Sequence, residues 1–394
     1  MTLLSRAEPR PAGQPTSRSA PTSGHLYQVD VVRVLTFAAV VLVHAISITN
    51  GASRNAAAVG MLTHFTREVF FAITGFVLVY TQSNRPLHTG KFLWRRCSLV
   101  FVPYVLWTLI YIEFTQQQWP TTGAWWHNAG YRLLTGTAEF HLYFLLVTLQ
   151  IYLVFPLFLR LIRAAEGHHA ALFVAALGWQ LAVTWALHGP GDRSSGFPRA
   201  IVDWSYALFP SYLFYVVAGA LAAVHLPRWQ QFADRHRWTS VWFLALAGIA
   251  TLWVEHIQAP HIADLTHATE VLQPVMVLWS IAVAFALYTL GSAWVSRRPS
   301  RRAIAMLEEA SLISFGVYLL HPLLLHVFAD AWLGVGNGWI KAPASTVFLT
   351  VITLAASVVA VELLSRTPLS LALTGRRSRR RVRTRPARAK FHLR

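Results

Sequence analysis

Apolar stretches recur along the whole chain, and most of them end at charged residues, Pro or Gly. Each is close to the length of about 20 residues with which an α-helix crosses the hydrocarbon core of a bilayer. The pattern therefore predicts an all-α, polytopic integral-membrane bundle of about ten transmembrane helices. The predicted spans are 29–48, 58–82, 97–116, 141–163, 169–187, 204–226, 238–256, 270–293, 311–333 and 344–365.

The first span, Val29–Ile48, carries Asp30, Arg33 and His44 within a mostly apolar run. At about 100° per residue, Arg33 and His44 lie about 20° apart around the helix axis, and Asp30 lies about 60° from Arg33. The three groups form one stripe, with Arg33 and His44 about 16 Å apart along the axis. Because ionisable groups are costly at membrane depth, we expect this stripe to face the bundle interior or a wet cavity.

Composition agrees with a membrane protein, because 55% of the 394 residues are apolar and only 13% are charged. The single cysteine, Cys97, excludes an intrachain disulfide and any multi-cysteine metal site. One histidine-rich segment, with His256, His261, Asp264 and His267, resembles a metal-ligand cluster. It lies in a predicted loop and lacks a closely spaced histidine pair, so we interpret it as a solvated loop and predict no metal.

The net charge of +18 could suggest nucleic acid, but its distribution favours a membrane topology signal. Of the 34 Lys and Arg residues, 27 lie in the two tails and in alternate loops, and only five lie in the opposite loops. The positive-inside rule therefore predicts that both termini are cytoplasmic. We predict a disordered cytoplasmic tail over 1–28, a transmembrane domain over 29–367 and a basic cytoplasmic tail over 368–394 that contacts lipid, with no nucleic-acid partner.

His44 is the best candidate for a catalytic base, because a neutral imidazole can accept a proton from a hydroxyl nucleophile at physiological pH. Its alternative role is a hydrogen bond that locks helix packing. Arg33 could hold a phosphate or a developing oxyanion, or simply pair with Asp30. Asp30 is expected to orient its neighbours rather than react.

The second and third spans add further charged groups. Arg67 and Glu68 neutralise each other, or Glu68 faces a cavity, and the residues alone leave both possibilities open. Thr74 and Gly75 are predicted to allow close helix approach. Arg95 and Arg96 suit the phosphates of a nucleotide-bearing cofactor, with topology anchoring as the alternative.

Two more histidines complete the candidate cavity. His141 opens the fourth predicted span, as a polar group near the acceptor or as an ordinary interfacial histidine. Ser314, Tyr318 and His321 fall on one face of the ninth span. Pro322, next to His321, frees backbone carbonyls that neighbouring groups or water must satisfy.

Together these motifs resemble the membrane-bound acyltransferase 3 family over about residues 27–367. The resemblance rests on Asp30-x-x-Arg33, the Arg33-x10-His44 spacing, Phe70-Phe71-x-x-Thr74-Gly75-Phe76, Arg95-Arg96, His141-Leu-Tyr-Phe-Leu and Ile313-Ser-Phe-Gly-Val-Tyr-Leu-Leu-His321-Pro. Thr74 stands where Ser is usual, Tyr143 replaces a frequent Trp, and Leu99–Val102 lacks a further basic residue.

The resemblance implies transfer of an acyl group, often acetyl, from cytoplasmic acyl-coenzyme A to a hydroxyl, usually on a carbohydrate-containing acceptor. It makes Arg33 and His44 the essential pair and places Arg95 and Arg96 near the donor. Glu68, Thr74, His141, Tyr318 and His321 would line the substrate cavity. The expected partners are lipid, acyl-coenzyme A and a glycan, glycolipid or small-molecule acceptor in a bacterial cytoplasmic membrane. The rival hypothesis is a transporter or flippase that uses the same polar stripe without a covalent step.

Overall fold

The computed structural model describes residues 24–50, 53–82, 86–116, 123–188, 203–259, 269–334, 342–376 and 378. Within these ranges the regular elements are all helical. Nine described helices are long and apolar enough to cross a membrane, and a bent pair of helices brings the number to ten if it counts as one span. The predicted all-α, polytopic architecture is confirmed. The predicted tails lie mostly outside the described residues, as do His261, Asp264 and His267.

The α-helices range in length from 5 to 34 residues. In chain order they are α1 Tyr27–Asn50, α2 Arg54–Thr63, α3 Thr66–Gln82, α4 Thr89–Gln116, α5 Gly123–Thr135, α6 Tyr143–Ala164, α7 His169–His188, α8 Leu213–Val224, α9 Leu226–Arg235, α10 Arg237–Gln258, α11 Pro274–Ser296, α12 Arg301–Gly334, α13 Ala344–Leu364 and α14 Ser370–Thr374.

The observed helix bounds differ from the predicted spans where a helix extends beyond its apolar residues or is interrupted within them. Helices α4 and α12 begin at Thr89 and Arg301, well before the apolar runs, because their charged first turns are helical without needing to be buried. The second predicted span is divided into α2 and α3, with His64 at the C-terminus of α2. The sixth begins with two short 3₁₀ turns, and α8 then meets α9 at an angle of 97°.

Helix α1 packs against α11, α12 and α13. Contacts along α1 and α12 show that the two helices run in parallel, because Asp30 meets Ser311 near the start of both and His44 meets His321 further along both. We call these two levels the Arg33 end and the His44 end. Both polar ends of the α1 stripe thus face the same neighbouring helix.

Helices α3 and α8 approach unusually closely through two glycines. A Cβ added at Gly75 would lie 2.2 Å from the carbonyl oxygen of Val216, and one at Gly219 would lie 1.9 Å from that of Ala72. No side chain fits at such distances, so glycine is required at both positions. The predicted packing role of Gly75 is confirmed.

The chain continues beyond residue 367 into the short helix α14, which packs against α4. Trp107 donates its indole N–H to the carbonyl oxygen of Leu373 over 3.1 Å. The left-handed backbone of Gly375, with φ +67°, ends α14, and Arg376 then pairs with Glu309 at 3.3 Å. Part of the predicted basic tail therefore belongs to the folded bundle.

Candidate functional site

The Arg33 end is a hydrogen-bonded group centred on the buried carboxylate of Asp30. Arg33 Nη1 lies 3.8 Å from Asp30 Oδ1 and donates to the hydroxyl of Ser311 over 3.1 Å. Ser311 donates in turn to Asp30 Oδ1 over 2.5 Å, and His25 contacts Asp30 Oδ2. Asp30 therefore holds Arg33 through both a charge and a bridging hydroxyl, which fits the predicted orienting role.

Further positive charge surrounds Arg33. Arg96 lies close enough to Arg33 for the two charges to interact, and the Tyr152 side chain lies near both guanidinium groups. Arg96 is partly buried and Arg95 is exposed, and neither forms an ion pair with a described carboxylate. Arg96 thus lies near Arg33 without a carboxylate partner of its own in the described part of the chain, and this uncompensated positive charge suits an anionic group such as a phosphate.

Three histidines predicted separately meet at the His44 end. The ring centroids of His44 and His321 are 5.5 Å apart, and those of His141 and His321 are 5.4 Å apart. His44 is partly exposed, whereas the other two rings are buried. Tyr318 adds a fourth ring, 5.0 Å from His141. The structure brings these predicted site residues together.

Pro322 fixes the protonation pattern of His321. Proline has no N–H, so the carbonyl oxygen of Tyr318, one turn earlier, loses its usual helical donor. His321 Nδ1 lies 2.7 Å from that oxygen. Since a carbonyl only accepts, Nδ1 must carry the proton and Nε2 must present a lone pair. Nε2 is buried and has no hydrogen-bond partner among the described residues.

Tyr111 takes the place of the next missing backbone hydrogen bond of α12, between Leu319 and Leu323. Its hydroxyl donates to the carbonyl oxygen of Leu319 over 2.8 Å and accepts the backbone N–H of Leu323 over 3.3 Å. The ring of this buried tyrosine also packs edge-on against His141, with centroids 5.3 Å apart. Tyr111 therefore connects the proline kink to the histidine cluster, a role that its apolar sequence surroundings gave no sign of.

His141 lies in the turn before α6, which begins at Tyr143, and the residue is only 3% exposed. The imidazole therefore lies inside the helix bundle, among the rings of Tyr111, Tyr318 and His321. Tyr318 donates its hydroxyl to the carbonyl oxygen of His141, which anchors the turn to α12. Neither ring nitrogen of His141 makes a hydrogen bond of regular geometry within the described part of the chain.

Arg67 and Glu68 pair with each other and Glu68 also faces a cavity, so both alternatives left open by the sequence apply. Arg67 Nε donates to Glu68 Oε1 over 2.8 Å, and its Nη1 donates to the hydroxyl of Tyr143 over 3.2 Å. Glu68 also lines an apolar cavity of about 730 Å³ between α1, α3 and α7–α11. Thr74 donates to the carbonyl oxygen of Phe70 in its own helix and does not line this cavity.

Aromatic side chains occupy the level between the two polar ends. Phe37 lies on the same face of α1 as Arg33 and His44, since it is four residues after one and seven before the other. Its ring packs against Phe70 at 4.4 Å and Tyr318 at 6.0 Å between centroids. The cation and the imidazoles are therefore separated by aromatic packing in this structure.

Sequence reasoning missed several residues at both ends: Ser311, Tyr152, Tyr111, Phe140 and His326. A signal existed for Ser311, which precedes Ser314, Tyr318 and His321 by three, seven and ten residues on the same helix face. Ser314 itself donates to the carbonyl oxygen of Ser311 over 2.7 Å, so the more N-terminal serine holds Arg33. The described residues contain no group of three or more ligands arranged for a metal.

These observations define a multi-pass helical membrane protein with a cation-rich site at one level and a cluster of imidazoles about 16 Å further along the same helix. Imidazoles with free lone pairs can accept protons, and fixed guanidinium groups can hold anions. The chain belongs to the acyltransferase 3 family, whose acyltransferase domain matches residues 26–362. Comparisons with curated proteins and with solved structures gave no match.

Proposed function

We propose that this protein is an integral-membrane O-acyltransferase. It moves an acyl group, acetyl in the simplest case, from acyl-coenzyme A to a hydroxyl of a carbohydrate-containing or secondary-metabolite acceptor. The family match supports acyl transfer in general. The observation that supports this particular reaction is the placement of Arg33 and His44 along one α1–α12 interface.

The donor enters from the Arg33 end, which the charge distribution predicts to be cytoplasmic. Arg33 and Arg96 hold donor phosphates, with Arg95 at the exposed edge. The spacing of about 16 Å between Arg33 and His44 leaves room for an extended arm that carries the thioester towards the histidines. Because Phe37 occupies this line, its ring has to turn aside when the donor binds.

At the His44 end, the acceptor hydroxyl gives its proton to His44 as its oxygen attacks the thioester carbonyl carbon. A carbon–oxygen bond forms and the carbon–sulfur bond breaks. The departing thiolate then takes the proton from His44, which restores the neutral imidazole. His321 and His141 keep the surroundings polar enough for the imidazolium to form between these steps.

Purified protein with acyl-labelled acetyl-coenzyme A and an envelope extract tests the proposal. We expect release of free thiol together with label in an acceptor. His44→Ala should abolish both while the protein still accumulates in the membrane, since general-base help is worth about 10²–10⁴ in rate. His256→Ala, on the exposed end of α10, is the matched control. Uptake or movement of a substrate without thiol release would favour the transporter hypothesis instead.

A further inference from the structure

Phe140 forms the centre of a small surface at the His44 end. Its ring centroid lies 4.0 Å from that of His44, 5.7 Å from His141, 6.4 Å from His326 and 6.5 Å from His321. Although four imidazoles surround it, Phe140 is 40% exposed. An open aromatic face thus lies directly beside the proposed catalytic base.

The polar groups next to Phe140 indicate that its open face meets water. Glu139 Oε1 lies 3.6 Å from Nε2 of His326, with the carboxylate side chain 7% exposed and the imidazole 35% exposed. A carboxylate–imidazole pair would be costly against lipid chains. Asp330, one turn after His326 on α12, is also exposed on this side. The surface therefore opens to an aqueous or headgroup region.

The turn that carries Phe140 is well anchored. The backbone N–H of Leu142 donates to the carbonyl oxygen of Glu139 over 3.1 Å, and that of Phe144 donates to His141 over 3.2 Å. Tyr318 holds the same His141 carbonyl from α12. A ring placed this firmly can act as a preformed contact surface at little cost in conformational entropy.

We propose that Phe140, Glu139 and His326 form the acceptor subsite, a claim that rests on the proposed function. The apolar face of a saturated sugar-like ring stacks on Phe140, and the partly exposed His326 hydrogen-bonds one of its hydroxyl groups through Nδ1. The largely buried Glu139 carboxylate faces Nε2 of His326 and orients this imidazole. The ring is thereby held with one hydroxyl towards His44. Because the Glu139 carboxylate faces His326 within the subsite, the subsite favours neutral or amine-bearing rings over rings that carry a carboxylate.

Two conservative substitutions test the aromatic and the charged residue of this subsite independently. Phe140→Leu keeps an apolar side chain but removes the flat face, so we expect the KM for a ring acceptor to rise about 3- to 10-fold with kcat little changed. Phe114→Leu is the matched control, because Phe114 is also exposed and its ring lies 6.1 Å from His326. Glu139→Gln should improve use of a carboxylate-bearing acceptor relative to a neutral one, whereas Asp330→Asn should not.

The probes are the methyl glycosides of a neutral hexose, an amino sugar and a uronic acid, with sorbitol as an open-chain polyol that lacks a rigid face. The subsite assignment predicts transfer to the first two, less to the uronic acid and least to sorbitol, and a Phe140→Leu effect confined to the cyclic acceptors. Equal KM values for Phe140→Leu and Phe114→Leu would overturn it, as would a preference of the wild type for the uronic acid.

The same assay distinguishes failure of the subsite assignment from failure of the proposed acyltransferase activity. If the wild type labels an envelope extract but none of the cyclic probes, the subsite assignment fails while the acyltransferase proposal stands. If thiol release and labelling are absent with every acceptor, the proposed function itself fails. Membrane accumulation equal to that of the wild type shows that each variant is folded.

Discussion

His321 donates its Nδ1 proton to the carbonyl oxygen of Tyr318, the acceptor that Pro322 deprives of a backbone donor. The carbonyl oxygen that lacks a backbone donor thus holds the His321 imidazole in one tautomer within the histidine cluster. Pro322 interrupts the hydrogen bonding of a transmembrane helix, and this interruption helps to orient His321 in the site.

Replacing this proline tests the relationship. In Pro322→Ala the new N–H competes with His321 for the Tyr318 carbonyl, so the fixed tautomer is lost. We expect transfer to fall about 10-fold or more, a smaller loss than the roughly 10²–10⁴ that the base itself contributes, because His44 is retained. Thermal stability should hold or rise, because proline costs about 3 kcal/mol in a helix interior. Transfer at the wild-type rate in this variant would contradict the proposed role.

The surplus of positive charge at the Arg33 end predicts a donor defect. Arg33→Gln and Arg96→Gln should each raise the KM for acetyl-coenzyme A, by about 10- to 150-fold for loss of a charge-assisted contact of about 1.5–3 kcal/mol. Arg366→Gln is the matched control, because Arg366 is largely exposed and pairs only with Glu362 among the described residues. Steady-state kinetics at fixed acceptor concentration measures the difference. Equal KM values for all three variants would place the donor elsewhere.

Phe37 predicts a separate effect on the donor. Phe37→Ala opens the line between Arg33 and His44, so the ring no longer has to move when the donor enters. We expect a lower KM for acetyl-coenzyme A together with faster hydrolysis of the thioester, since the donor reaches the histidines more readily and these already meet water on the Phe140 side. Thiol release measured without acceptor checks this. An unchanged hydrolysis rate would argue against donor passage along this face.

The contact of α3 with α8 predicts a loss of stability. Gly75→Ala brings a Cβ within 2.2 Å of the Val216 carbonyl oxygen, so the two helices must separate. We expect a cost of at least about 1–3 kcal/mol, as for other overpacked sites. Gly178→Ala is the control, because nothing lies within 4 Å of its added Cβ and alanine is the better helix former. Thermal unfolding in detergent compares the two.

Removal of the chain after Ser378 should leave transfer by purified protein unchanged. The truncation keeps Arg376, which pairs with Glu309, and keeps α14 on α4. Binding to vesicles that contain anionic lipid should weaken, because several of the removed residues are arginines that are expected to contact lipid headgroups. Activity assays and vesicle sedimentation test the two halves independently, and lost activity would show that the tail does more than contact lipid.

The amino-acid sequence was enough to predict the helical membrane architecture, because a bilayer requires long apolar helices whatever their arrangement. It also determined the polar stripe of α1, since the positions of Asp30, Arg33 and His44 follow from helical geometry alone. The close helix approach at Gly75 could also be predicted, because small residues in membrane helices are typical of close helix contacts.

Tertiary structure alone decided which helix faces that stripe and which groups from distant segments join it. Ser311 reaches Arg33 from α12, Tyr111 reaches the proline kink from α4, and the turn at Phe140 is placed among four histidines. These contacts join residues far apart in the chain, so no local periodicity encodes them. They arise from how α1, α4, α6 and α12 pack, and that packing depends on the shapes of all the side chains between them.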